Sequence, residues 1–452
     1  MRITPESTTF VILSFEGPDV YSQAGGLGVR VKGLSRTLAQ LGYETHLFFY
    51  GDPDLPSVEV LESGRLRHHR WGQWISAHHR GGVYDGEEGK LRDWNQSLPA
   101  AVVDDIVTPA LSAGRAVVVM GEEWQTAISM NLISDSLYYR GLRDRVVMMW
   151  NANNIFGFNR INWGALSFAS TITTVSRYMK FRMWDQGQNP VVIPNGIPRA
   201  SIADVDAGTV SDLREAAAAD TFCFKIGRFD PDKRWLMAVA AMGHLGRTGC
   251  RVRLLIRGGR EPHGAEVLSF ARAQGLEVVD LKAPDTATGL AAALRVHPAQ
   301  VVNLTSYVSD ELLALAYTSA DAVLANSAHE PFGLVGLEVM AAGGLAVTGS
   351  TGEDYADGLR NALVLETDDP IELVTMLRLI KDRPALAASI RKKGRATARD
   401  YVWETVVDQL VMRIEFAAAQ QAVRLAAADL PTQRRAPARA RRPVARPAEP
   451  IT

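Results

Sequence analysis

The strongest constraint on the fold is a rhythm: short β-branched and apolar runs alternate with helix-period stretches along nearly all of the 452-residue chain. Such alternation is the pattern of parallel sheets joined by crossover helices. In the first half the strand candidates are residues 9–15, 45–50, 116–120, 146–150, 171–175 and 191–194, with VKGLSRTLAQLG and QTAISMNLISDSLYYR as amphipathic stretches between them. The second half repeats the rhythm in FCFKIG, RVRLLIR, LEVVDL, VVNL, AVLAN, LAVTG and ALVLE, separated by helices that include ELLALAYTSA and GLVGLEVMAAG. A single hydrophobic core stops growing at roughly 250–300 residues, so length and rhythm together predict two doubly wound α/β domains. The expected division is 1–196, 197–405, a helix over 406–430 and a Pro/Arg-rich tail over 431–452. Segment 196–220, with its Gly, Asp and Ser, is the linker candidate. Sheets of this kind bind ligands beyond the carboxyl ends of their strands, which puts a ligand cleft between the domains.

Composition narrows the partners. Lys plus Arg (49) and Asp plus Glu (50) nearly cancel, which removes the broad electrostatic argument for a nucleic-acid partner. Cys223 and Cys250 lack metal-ligand spacing, so no metal and no disulfide framework is expected, and free thiols fit a reducing cytoplasm. The start does not read as a signal peptide, and no apolar stretch approaches the roughly 20 residues of a membrane helix. Segment 70–94, RWGQWISAHHRGGVYDGEEGKLRDW, has no clear period and reads as a long loop, either a surface insertion or, preferably, a binding loop. Beyond Leu430, Pro and Arg interrupt any helix. That tail reads as disordered and solvated, with contact to an anionic membrane surface or partner as the alternative.

Three segments carry chemistry. In HEPFGLVGLEVMAAGG, Glu330 ends a strand-to-loop passage and Glu338 follows two helical turns later. Carboxylates accept from paired hydroxyls, and glycines at a helix start expose N–H groups to a phosphate. Taken alone, the pair is equally well a helix cap and a surface residue. In KIGRFDPDKRW, Arg228 and Lys233 bracket an Asp-Pro-Asp turn after a strand, where fixed cations would stabilise a departing anion without a metal. Near the start, SQAGGLGVR joins strand to helix through Gly25, Gly26 and Gly28, which suits close approach by an anion or sugar and equally suits tight packing.

Together AGGLG, EEWQTA, TTVSRYM, VIPNGI, IGRFDPDK and EPFGLVGLEVMA, in this order from about residue 11 to residue 403, resemble the retaining GT-B glycosyltransferases of the glycogen synthase and GT4 type. The resemblance implies a GT-B fold and a hexosyltransferase that moves a sugar from a nucleotide diphosphate donor to a hydroxyl of a glycan or small-molecule acceptor. Arg228 and Lys233 would then grip the diphosphate, Glu330 would meet the sugar hydroxyls and Glu338 the nucleotide ribose. Backbone groups of Phe332, Gly333 and Leu334 would lie by sugar and phosphate, Tyr307 and Val308 near the base. Gly25 and Gly26 would face the diphosphate from the first domain, and Asn195 would mark that domain's end. No cofactor beyond the donor is implied.

Two positions depart from the pattern. Glu122 stands where the family commonly has a cleft histidine, and Gln23 where the glycogen synthase version has a lysine. A carboxylate at 122 would support positive charge on the sugar ring or accept a donor hydroxyl; alternatively it marks a sugar-nucleotide-binding protein with weakened or lost transfer. His78, His79, His263 and His329 are not obvious substitutes. A dinucleotide oxidoreductase is the remaining rival, and AGGLG lacks the Gly-x-Gly-x-x-Gly spacing that it needs. Donor base, acceptor and oligomeric state stay open.

Overall fold

A computed structural model describes residues 3–424. It contains two parallel sheets, each covered by helices on both faces. The first has eight strands in the order β3-β4-β2-β1-β5-β6-β7-β8. These are β1 Thr8–Leu13, β2 Glu44–Tyr50, β3 Val58–Leu61, β4 Leu66–Trp71, β5 Ala116–Glu122, β6 Val146–Ala152, β7 Thr171–Thr174 and β8 Val191–Val192. The second has seven, ordered β11-β12-β10-β9-β13-β14-β15. They are β9 Thr221–Ile226, β10 Val252–Arg257, β11 Val278–Leu281, β12 Val301–Leu304, β13 Ala322–Ala325, β14 Ala346–Thr348 and β15 Leu363–Val364. All pairs are parallel except β3 with β4. Central strands such as TTFVIL and AVVVMGE are buried at every residue, as strands covered on both faces must be.

Both sheets start in the middle. The chain builds outward from β1 through β2, then returns to the other side with β5; it does the same from β9 through β10 and back to β13. Each reversal opens a crevice at the carboxyl ends of two neighbouring strands, which is where doubly wound sheets take ligands. The glycine-rich turn follows β1 and EEWQTA spans the end of β5; IGRFDPDK spans the end of β9 and HEPFG follows β13.

Three expectations need correction. Residues 70–94 are not a loop: Arg70 and Trp71 finish β4, and helices follow at Gln73–His78 and Glu87–Ala101. Leu91, Trp94 and Leu98 of the second helix enter the core at helical spacing. Gly89 and Pro99 within that helix hid the period. The linker candidate 196–220 is largely folded as well, because helix Ala207–Ala216 buries Leu213 and Ala216 against the second domain. The helix expected over 406–430 begins at Trp403 and runs to Gln420; what was expected of 431–452 lies outside the described residues.

That last helix returns to the first domain. Trp403, Val406, Leu410 and Ile414 join the cluster of Phe10, Val118 and Val147. A β-carbon on Gly33 would fall 2.2 Å from the Trp403 indole nitrogen, so the absence of a side chain there admits the helix. The two passages between domains run side by side, with Ile197 N–H donating to the Tyr401 carbonyl at 2.9 Å and Trp403 N–H to that of Ile197 at 3.0 Å. Among the described residues no helix is long and apolar enough to cross a membrane.

Candidate active site

The turn after β9 is held against the loop after β13 by several independent contacts. The Trp235 indole donates to the Arg228 carbonyl at 2.8 Å, and Glu261 accepts the Phe229 N–H at 2.9 Å. Asp230 caps the one-turn segment Pro231–Lys233 by accepting the Asp232 N–H at 2.9 Å. The Asp232 carbonyl then accepts from Ala328 N–H at 2.7 Å, and its carboxylate bonds the His329 ring at 3.0 Å. The result is an ion pair between Lys233 Nζ and Glu330 Oε2 at 2.5 Å, with both side chains partly exposed. Arg228 is exposed on the same turn, and its guanidinium has no protein partner among the described residues.

Phe332, Gly333 and Leu334 carry the chain from Glu330 into helix Leu334–Ala342. Gly333 takes φ +81°, and a β-carbon there would fall 2.6 Å from Glu353 Cγ and 3.3 Å from Glu330 Cγ. Only glycine fits such a left-handed, crowded position cheaply. With Phe332 buried behind it, the first N–H groups of the helix are offered beside Lys233 and Glu330. Glu338 lies on this helix within reach of the Tyr317 hydroxyl at 3.5 Å; burial, with the Asp310 charge nearby, pushes its carboxyl up to about 7. Tyr307 and Val308 sit in the loop after β12, Tyr307 exposed and Val308 half-buried.

Two neighbours escaped the sequence reading. Lys225, fully buried in β9, donates to the Leu324 carbonyl at 2.9 Å and to Asn326 Oδ1 at 2.6 Å, tying β9 to the end of β13. Burial, with Lys233 and Arg234 close by, pushes its ammonium well below the usual lysine range. Glu353 is buried against Glu330. Burial first, and then the Glu330 charge, pushes its carboxyl up to about 8, and its Oε1 has no hydrogen-bond partner. The Thr351 hydroxyl lies between the two acids, accepting the Glu330 N–H at 2.8 Å and standing 3.5 Å from Glu353 Oε2.

The first-domain face is organised otherwise. Glu16, just beyond β1, accepts the N–H groups of Ala24, Gly25 and Gly28 at 3.2, 2.9 and 3.0 Å and the Tyr84 hydroxyl at 2.7 Å. The glycine turn thus wraps a carboxylate of its own chain, and Gly26 alone of the three glycines makes no bond to it. Glu122 is fully buried: Arg30 Nε donates to both its oxygens at 3.2 and 3.1 Å, and Asn151 and Asn153 donate at 2.9 and 2.8 Å. Arg30 also reaches Asn195 at 2.7 Å, which gives Asn195 a structural part. Glu122 therefore does not stand open in a cleft; it is paired with a buried arginine. Next to it Glu123 holds the N–H groups of Asn153 and Asn154 at 2.6 and 3.1 Å, and burial, then Glu122, pushes its carboxyl up to about 8.

Two facing doubly wound sheets, each with its functional turns at the switch point, constitute the GT-B fold of glycosyltransferases. Residues 214–397 match the family Glycosyl transferases group 1, a span that covers most of the second domain, including Arg228, Lys233, Tyr307, Glu330 and Glu338. A D-inositol 3-phosphate glycosyltransferase of Geodermatophilus obscurus is 34% identical over 146 residues, 31% of each chain, so the match spans about a third of that relative. Among solved structures, sucrose-phosphate synthase of Thermosynechococcus elongatus superposes with TM-score 0.64 at 20% identity, covering 91% of this chain and 100% of that one. The catalytic domain of starch synthase IV from Arabidopsis thaliana, bound to ADP and acarbose, gives 0.63 at 15% identity over 92% and 99%. The motif resemblance to glycosyltransferases of the glycogen synthase and GT4 type holds accordingly.

Proposed function

We propose that the protein is a retaining hexosyltransferase that moves a sugar from a nucleotide diphosphate donor to an acceptor hydroxyl. The observation that carries this reading is the Lys233–Glu330 ion pair, formed between the turn that also bears Arg228, unengaged among the described residues, and the loop that leads into helix Leu334–Ala342. A diphosphate placed there meets two cations and the positive end of a helix, which stabilise the charge that grows as it leaves. Glu330, fixed by Lys233, accepts from sugar hydroxyls, and Glu338 from the ribose. Tyr307 and Val308 flank the base, and Gly26 lies across the cleft. As the diphosphate departs the ring becomes oxocarbenium-like, and the acceptor enters on the same face with the leaving oxygen taking its proton. No side-chain nucleophile is required, and closure of the domains about the paired passages at Ile197 and Val402 would exclude water. That the starch synthase neighbour was solved bound to ADP supports a nucleotide ligand.

One observation favours a second reading. Glu122 is engaged by Arg30 and two asparagines, which leaves the place of the family's histidine without a free catalytic group and fits a donor-binding protein that transfers weakly. A thermal-shift screen of UDP-, ADP- and GDP-sugars, followed by mass spectrometry of products over an acceptor panel, separates the two. Stabilisation with a new glycoside supports transfer, and stabilisation without nucleotide release supports the second reading. No stabilisation by any sugar nucleotide overturns both.

A further inference from the structure

Away from this site, the first domain carries a groove of about 1310 Å³ between helices Ala127–Tyr139, Trp163–Ala169, Arg177–Trp184 and Trp403–Gln420. Five of its rings are largely in solvent: Tyr138 is 72% exposed, Tyr139 87%, Phe168 88%, Phe181 52% and Phe416 50%. At its edge Trp184, 55% exposed, packs edge-on against Phe181 at 4.8 Å. Single exposed apolar side chains are normal on any protein, but six aromatic rings around one concavity mark a surface built to be covered.

Charge decides what covers it. The charged lining is Arg143, Arg177, Lys180 and Arg413 against Asp135, and the side chains of Lys180 and Arg413 have no hydrogen bond or ion pair among the described residues. Gln420 and Gln421 complete the wall, and the sequence that follows them adds six arginines over residues 425–452 (434, 435, 439, 441, 442 and 446) against Asp429 and Glu449. That segment shares the groove's sign and so is a poor occupant. A second copy related by a two-fold axis would likewise set cations against cations. Tyr138, Tyr139 and Trp184, with a polar atom on an apolar ring, and the wholly apolar Phe168, Phe181 and Phe416, interleaved with Lys and Arg, match the layer where hydrocarbon meets headgroups. We infer that this face of the first domain docks on an anionic phospholipid bilayer, its rings entering the headgroup layer while Lys180 and Arg413 meet lipid phosphates. The inference is independent of the glycosyl-transfer reading.

Co-sedimentation of the full chain with phosphatidylcholine vesicles, with and without phosphatidylglycerol, tests it. The protein should bind only the anionic vesicles. Phe168→Ser/Phe181→Ser and Lys180→Glu/Arg413→Glu should each weaken binding on the order of tenfold, as should raised salt. All four substituted side chains are at least partly exposed, so an unchanged melting temperature verifies the fold. Failure to bind anionic vesicles overturns the inference. So does equal binding by the variants, which would assign attachment to the sequence after residue 424 alone. A concentration-dependent dimer that these substitutions abolish, without lipid binding, would assign the groove to a second copy instead.

Discussion

At the carboxyl end of β5, Glu122 is fully buried and held by Arg30, Asn151 and Asn153; at the carboxyl end of β9, Arg228 is exposed with its guanidinium unengaged. The two sheets have the same plan at these points, and the same kind of strand-to-helix turn follows. What differs is whether the charges are sealed from solvent. In the first domain Glu16, Glu122 and Glu123 are all buried; Glu16 and Glu123 hold backbone N–H groups, and Glu122 holds the Arg30, Asn151 and Asn153 side chains. In the second, Lys233 and Glu330 pair while partly open to solvent, so a ligand can replace water there without a large desolvation cost. One half of the plan builds a wall, and the other leaves its cations facing solvent.

The largest test of this contrast is Glu122→Ala. It leaves Arg30 buried without its counter-charge and should cost about 3–5 kcal/mol of stability, read by denaturant unfolding. Replacing Arg30 and Glu122 together by Met and Leu should recover most of that loss, because no charge is then left unpaired. A Glu122→Ala protein of unchanged stability that has lost turnover would break the comparison and move Glu122 into the chemistry.

Removing Arg228 and Lys233 together should do the opposite. At about 1.5–3 kcal/mol for each charge-assisted bond, kcat/KM for the donor should fall on the order of a hundredfold or more. Unfolding free energy should change by less than about 1 kcal/mol, since the pair is partly exposed. Turnover unchanged in this double variant would remove the basis of the proposed function.

Glu353→Gln sharpens the comparison by pH. Its carboxyl is pushed from 4.5 to about 8, so between roughly pH 5 and pH 8 the folded state keeps a proton that the unfolded chain releases. Stability therefore falls as pH rises through that window, by up to about 1.4 kcal/mol per pH unit for one group. The glutamine variant should show a correspondingly flatter profile in denaturant unfolding. Glu123→Gln should do likewise, because Glu123 is shifted to about 8 by the same burial. A Glu353→Gln profile parallel to that of the parent would mean that Glu353 is ionised beside Glu330.

How far the sequence reached follows the same division. Six of the seven strands of the second sheet fall within the runs FCFKIG through ALVLE and β9 starts one residue before its run, at Thr221; Arg228, Lys233, Glu330 and Gly333 lie in two contiguous motifs that the fold brings together. Contiguity made them legible. The antiparallel edge β3 and its neighbour β4 were missed because LRHHRW alternates buried Leu, His and Arg with half-buried partners, a pattern without apolar periodicity. Glu16, Glu353 and Lys225 act through neighbours up to about a hundred residues away, so nothing local separates them from surface charges. For Glu122 the motif gave the position, but its partner Arg30 lies 92 residues earlier, and only tertiary contact turns an exposed acid into a buried one.

The smallest expected effect concerns the glycine turn of the first domain. Gly26 is exposed, and a β-carbon on it would meet nothing within 4 Å; on Gly28 it would fall 3.0 Å from Gln23 Cγ, 3.1 Å from the Gly17 carbonyl and 3.2 Å from Glu16 Oε2. Gly28→Ala should therefore lower the melting temperature by pressing the turn off Glu16. Gly26→Ala should leave it unchanged or raise it, since alanine at a compatible site adds about 0.4–1 kcal/mol. If the free N–H of Gly26 approaches the donor diphosphate, its new methyl group raises the donor KM a few-fold at unchanged kcat. An unaltered KM in a stable Gly26→Ala protein would mean that the turn serves only to hold Glu16, and that the first domain contributes shape without touching the donor.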